Sequence, residues 1–134
     1  MSTNRSTEIE IGNYVMFGPD CKVLAGNHNM CWTGGHMMQA PGATNNLGIT
    51  IEDGVWAGAN ALILDGAFVS EGSVLAAGSV VTNYIPPYVI AAGVPSKKFK
   101  ARFSSKELEV VLKNVKSRYD METIANIYAK HGVS

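Results

Sequence analysis

The chain has 134 residues, enough for one domain with a real core but too few for two ordinary domains. Eleven Lys and Arg balance eleven Asp and Glu, which argues against a nucleic-acid or membrane-surface protein driven by bulk electrostatics. Only 16% of residues are charged, a low share that points to surface covered by partner subunits.

Residues 1–10 are polar and hold no apolar stretch, so no signal peptide is expected. No apolar run reaches membrane-spanning length. The expectation is a soluble cytoplasmic protein. Cys21 and Cys31 form no disulfide framework, and Cys21 reads as a small buried hydrophobe.

From Ile11 onward the chain repeats every six residues. Ile11, Phe17 and Val23 form one inward series, with Val15 and Cys21 two places before members of it. Asn13-Tyr14, Pro19-Asp20 and Ala25-Gly26 fill the turns. The same register returns downstream: Ile51, Ala57, Ile63, Val69, Leu75 and Val81 are mostly branched aliphatics. The series from Ile49 through Val55, Ala61, Ala67, Ser73 and Ser79 is mostly small. Turn pairs follow at Asp53-Gly54, Ala59-Asn60, Asp65-Gly66, Glu71-Gly72 and Ala77-Gly78, and the last pair in the series, Asn83-Tyr84, breaks the pattern. The two blocks are out of phase, so an insertion separates them, at residues 27–46.

Side chains alternate along a strand, so positions i and i−2 share its inner face. Turns after each short strand require residues that tolerate positive φ, hence Gly, Asn and Asp. Three strand-turn units close a triangular coil of 18 residues, and stacked coils bury one continuous core. Apolar period 3.6 is absent through residues 47–82, which excludes an amphipathic helix there. An antiparallel sandwich of short strands does not keep strict six-residue phase. Handedness is not readable from the repeat, and ordinary parallel crossovers are right-handed.

After residue 103 the pattern changes. Ser104 and Glu107 form a capping-box signature ahead of Leu108, Val111, Leu112 and Val115 at helical spacing. Asp120 is placed to cap a second helix through Met121, Ile124, Ile127 and Tyr128, ending near Gly132. The pair is expected to cover an open coil end or a neighbouring subunit. The division is thus a β-helix over 1–103, with the insertion at 27–46, and a helical tail over 104–134.

Two stretches resemble a known family. One is IEDGVWAGAN at 51–60. The other is VLAAGSVVT at 74–82, followed by IPPY at 85–88 and AGVPSK at 92–97. Over about residues 8–103 the chain resembles the hexapeptide-repeat O-acetyltransferases, the group of maltose, galactoside and capsular-sugar acetyltransferases. The resemblance implies a left-handed parallel β-helix that works as a homotrimer. It implies acetyl-CoA as co-substrate and a small acceptor, a sugar or its like. It implies no metal.

AGNH at 25–28 matches the family element whose histidine is the catalytic base, and that role carries over to His28. The chemistry asks for such a group, since an alcohol attacks a thioester poorly until a base takes its proton, and imidazole titrates near pH 6.5. Asn27, His36 and Trp56 are acceptor-side candidates, though Trp56 equally suits packing on the loop or on a neighbouring subunit. The resemblance puts coenzyme A in a groove between subunits, against Ala59, Ala77, Gly78, Thr82, Asn83, Lys97 and Lys100. The two lysines would meet its phosphates, or else be solvated surface. His131 is expected at the surface.

Two departures stand out. The family carries Lys where this chain has Asn83, and it carries extra N-terminal coils where only ten residues precede Ile11. That shortening motivates an alternative reading, a non-catalytic trimeric binding or scaffold module. A β-helical carbonic anhydrase shares the fold but needs three metal-binding histidines, and only His28 and His36 fall in the plausible region.

Overall fold

The computed structural model describes residues 8–42 and 46–134. The chain winds into stacked three-sided coils. Coil 1 holds β1 (Ile9–Ile11), β2 (Met16–Phe17) and β3 (Lys22–Leu24). Coil 2 holds β4 (Ile49–Ile51), β5 (Trp56–Ala57) and β6 (Leu62–Leu64). Coil 3 holds β7 (Phe68–Val69), β8 (Val74–Leu75) and β9 (Val80–Val81). Coil 4 begins with β10 (Tyr84–Ile85) and β11 (Val89–Gly93). Equivalent strands stack into three sheets in the orders β1-β4-β7-β10, β2-β5-β8-β11 and β3-β6-β9, all parallel.

The predicted inner positions line the core. Ile51, Ala57, Ile63, Val69, Leu75 and Val81 are all fully buried, as are Ile49, Val55, Ala61 and Ala67 from the second series. Each large buried aliphatic contributes on the order of 1.5–3 kcal/mol of transfer free energy. At the turns, the second residue of nearly every predicted pair has positive φ, including Tyr14, Asp20 and Asn60 as well as the glycines at 54, 66, 72 and 78. Gly58 answers a different need. A Cβ there would lie 2.8 Å from the amide nitrogen of Ala77 in the next coil, so the stacked backbones leave room only for hydrogen.

Coil 1 differs from the rest. Its inward residues Ile11 and Phe17 are exposed, and Val15, Cys21 and Val23 only partly buried, because no coil of the described residues covers that end. The Cys21 thiol donates to the Gly58 carbonyl at 2.9 Å, and both cysteines are free.

Beyond residue 82 the coil pattern changes, and the expectation for His131 is corrected. The pair Asn83-Tyr84 does not make a regular turn, since Tyr84 already belongs to β10. The corner is two residues shorter than the others, so Ile85 takes the inward place beside Val69. The chain then reverses: β12 (Ser96–Ala101) pairs antiparallel with β11, with a register shift at Ala92/Gly93. Finally, His131 is not a plain surface residue. It is half-buried, with its ring 4.8 Å from that of Tyr84, which in turn stacks on Phe68 at 5.8 Å.

Both tail helices form: α1 (Ser105–Val115) and α2 (Met121–His131). Ser104 accepts from the Glu107 amide, and the Glu107 carboxylate accepts from the Ser104 amide, closing the capping box. Asp120 accepts from the Thr123 amide, and Gly132 ends α2 in the left-handed region. Leu108, Leu112 and Ile124 pack with Tyr88 in a second small core. Phe99, Tyr128 and Val133 pack against the main core, and the Tyr128 hydroxyl donates to the Pro87 and Tyr88 carbonyls of coil 4.

The link between the helices lies along the corner that joins the first and second sheets. There Glu52 and Glu71, turn residues that would otherwise face water, are buried. Glu71 accepts from Tyr88 at 2.7 Å and from Ser117, and Glu52 accepts from Tyr119 at 2.6 Å. Arg118 pairs with Glu52 at 3.2 Å and reaches Glu71 at 3.7 Å. Burial and the neighbouring carboxylates raise the Tyr88 and Tyr119 phenols well above their ordinary range.

Candidate functional site

The insertion leaves the β-helix after β3 and returns at β4, so it projects from the corner between the third and first sheets. Among its described residues the regular structure is one 3-10 turn, Met37–Gln39. The whole stretch from residue 25 to residue 51 contains no Asp, Glu, Lys or Arg. Its exposed side chains include Met30 and Met38, and the Trp32 ring folds over Gly34, where a Cβ would lie 2.6 Å from it.

The base of this loop is tightly bonded. Asp65, in the corner after β6, accepts from the Gly26 amide at 3.0 Å and from the Gly48 amide at 2.9 Å on one oxygen. Its other oxygen accepts from the Leu47 amide at 2.9 Å and the Asn27 side-chain amide at 3.3 Å. The Asn27 backbone N–H donates to the Asn46 side chain at 2.9 Å, tying the two ends directly. Burial works to raise the Asp65 pKa, but the backbone amides of Leu47, Gly26 and Gly48 prevail and hold it below 3.8.

His28 follows this knot by one residue and is exposed. Among the described residues its ring makes no hydrogen bond. Asn27, by contrast, has its side chain turned to Asp65. His36 is also exposed, and its backbone binds Gln39 at the 3-10 turn.

The remaining sites fall into three groups. Ala59, Ala77 and Gly78 sit on the corner between the second and third sheets, and the Gly78 amide donates to the Ala59 carbonyl at 2.9 Å. Thr82 and Asn83 lie on the other edge of the third sheet, two coils on from the loop base. Lys97 and Lys100 are exposed on β12 and, with Ile90, Ala92, Lys98 and Phe99, line a shallow cavity of about 510 Å³. The third sheet thus separates the first group from the second, and one protomer alone does not gather them at a single corner.

Trp56 points outward from the second sheet and is 49% exposed. Met16, Trp56, Val74 and Ile90 stand side by side across four coils in register, an apolar ladder on the outer face. The third sheet presents two shorter rows, Leu24 beside Leu64 and Lys22 beside Leu62 and Val80.

Reading the sequence alone missed Asp65, which passed for an ordinary turn residue in Asp65-Gly66. The signal that could have revealed it is register: Leu64 pairs with Leu24, so residue 65 lies directly against the loop base.

No family model matches the chain. Over 89 residues it is 38% identical to a galactoside O-acetyltransferase of Lactococcus lactis, covering 66% of this chain and 41% of that one. Among solved structures it superposes on a hexapeptide-repeat-containing acetyltransferase from Vibrio cholerae. The TM-score is 0.59 at 25% identity, covering 72% of this chain and 64% of that one.

The chain is homologous to galactoside O-acetyltransferases and shares its fold with hexapeptide-repeat acetyltransferases.

Its fold is accordingly the left-handed parallel β-helix. The N-acyltransferase AntD from Bacillus cereus, solved in complex with dTDP and coenzyme A, has the same fold. Its TM-score is 0.62 at 19% identity, covering 81% of this chain and 60% of that one. The chain spans about two fifths of the length of the galactoside acetyltransferases it matches. Among the described residues no helix is long and apolar enough to cross a membrane, and no cluster of three or more His, Cys, Asp or Glu is placed to hold a metal ion.

Proposed function

We propose that the protein transfers an acetyl group from acetyl-CoA to a hydroxyl of a small acceptor, a galactoside or related sugar, with His28 as general base. The single observation that carries the reading is the AGNH element at the anchored base of an exposed loop, in a β-helix that also bears the VLAAGSVVT and AGVPSK segments. In this mechanism neutral His28 takes the proton of the acceptor hydroxyl as its oxygen bonds to the thioester carbonyl carbon. The carbon–sulfur bond then breaks, and the imidazolium returns the proton to the departing thiolate. The products are the acetyl ester and free coenzyme A.

The loop suits a neutral acceptor: it offers exposed methionine and amide side chains and no fixed charge. Lys97 and Lys100 are assigned to the phosphates of coenzyme A, and Ala59, Ala77, Gly78, Thr82 and Asn83 to its pantetheine and adenosine parts. These groups lie on different edges of one protomer, so a site between copies is favoured. The apolar ladder from Met16 to Ile90 fits burial in a C3 trimer, with Trp56 walling the cleft.

Coenzyme A release from acetyl-CoA, measured with methyl galactoside and a panel of other small alcohols, tests the proposal. Turnover in the native protein, falling 10²- to 10⁴-fold in His28→Ala, is expected for loss of a general base. Wild-type turnover in His28→Ala would remove the assignment. Coenzyme A binding without turnover on any acceptor would mark a binding module instead.

A further inference from the structure

We propose that Asp65 is a positioning residue for the loop that carries His28, its carboxylate fixing both ends of the loop against the β-helix. The inference rests on the assignment of His28 as base, and concerns what holds that base in place. At the other corners between stacked rungs the amide of the second turn residue finds a carbonyl on the neighbouring rung, while single carboxylates take the Asn13 and Glu71 amides. Gly54 donates to Asn13, Gly72 to Asp53, Asn60 to Pro19 and Gly78 to Ala59. Where the loop departs and returns, the chain leaves that ladder, and the amides of Gly26, Leu47 and Gly48 would lack such a partner. Gly48 is buried, and a buried amide without an acceptor is costly. The two oxygens of Asp65 accept from all three, and from the Asn27 side chain as well.

The carboxylate does this without a cation. Among the described residues its partners are N–H groups, and the ion pairs all belong to Arg118 on another corner. What the position demands is four acceptor directions in one plane, which a carboxylate supplies and a carboxamide does not. In Asp65→Asn one oxygen becomes an NH₂ that faces N–H donors. The bonds join residues about 20 apart in sequence at the neck of the loop, so they close it at its base. His28 is the first residue beyond the knot, where a small error in backbone direction displaces the imaging of base on acceptor most directly. A misplacement of about 1 Å can cost on the order of 10²-fold in rate.

Asp65→Asn and Asp65→Ala are compared with the native protein and with His28→Ala by amide hydrogen exchange and by steady-state kinetics with acetyl-CoA and methyl galactoside. The expected result is exchange at Gly26, Leu47 and Gly48 faster by about tenfold or more, with the amides of β6 to β8 unchanged. With it, kcat falls about 10- to 100-fold while KM for acetyl-CoA holds within about twofold, more severely in Ala than in Asn. Native protection at those three amides in both variants would overturn the proposal, as would native kcat in both. Native turnover in His28→Ala would remove the base assignment instead, and the exchange data would still decide whether Asp65 anchors the loop.

Discussion

Asp65 and Glu71 occupy the same kind of position, the residue just before a glycine at a coil corner, yet their surroundings differ. Asp65 is held by backbone amides, Glu71 by side-chain hydroxyls and Arg118. The Asp65 pKa is depressed below 3.8, so the folded state binds its proton less readily than the unfolded chain. Its stabilising contribution is therefore complete above about pH 4 and is lost as pH falls through the lower folded value. The difference in urea stability between the native protein and Asp65→Asn is expected to stay constant from pH 7 to 5 and to shrink below 3.8. A difference that instead vanished near pH 6 would assign the effect to another group. Tyr128, pushed up to about 12 by burial, stays a neutral donor to coil 4 throughout this range.

At the scale of elements, strands of two or three residues cannot stand alone, and each is stable because its neighbours above and below complete its hydrogen bonds. The helices follow a different logic, with local signals at their ends and one apolar face turned to the coils. Ser104→Ala removes the acceptor of the Glu107 amide and half of the capping box. A loss of about 1 kcal/mol is expected in urea denaturation. A loss near zero would mean that packing of Leu108 and Leu112 alone fixes the start of α1. The corner carboxylates Glu52 and Glu71 bind the segment between the helices, so the tail is docked by polar contacts as well as by Tyr88 and Ile124.

For the whole molecule, three coils and part of a fourth provide a narrow core and broad outer faces. The ladder Met16, Trp56, Val74 and Ile90 leaves an apolar stripe along one face, in a protein with few charges to keep it wet. In the proposed trimer that stripe is covered. Val74→Asp places a charge at its centre, on a half-buried outward position that leaves the inner core untouched. Light scattering is expected to give three times the 14.3 kDa chain mass for the native protein and a lower mass for the variant, with acetyl transfer lost alongside. A native monomer would remove the shared-cleft reading.

The sequence alone determined the coil. Inward residues such as Ile51, Ile63 and Leu75 recur at six because each rung repeats the same local geometry, and the left-handed turn residues recur with them. The helix caps were legible for the same reason, since Ser104 and Glu107 act within three residues. The location of His28 came from a short motif, also local. Tertiary structure decided the rest. The reversal into β12, the shortened corner before Ile85, the burial of Glu52 and Glu71, the contact of His131 with Tyr84 and the bonding of Asp65 all depend on residues far apart in sequence. A turn residue reads as solvated until another segment lands on it, and which segment lands there is set by how the coils stack.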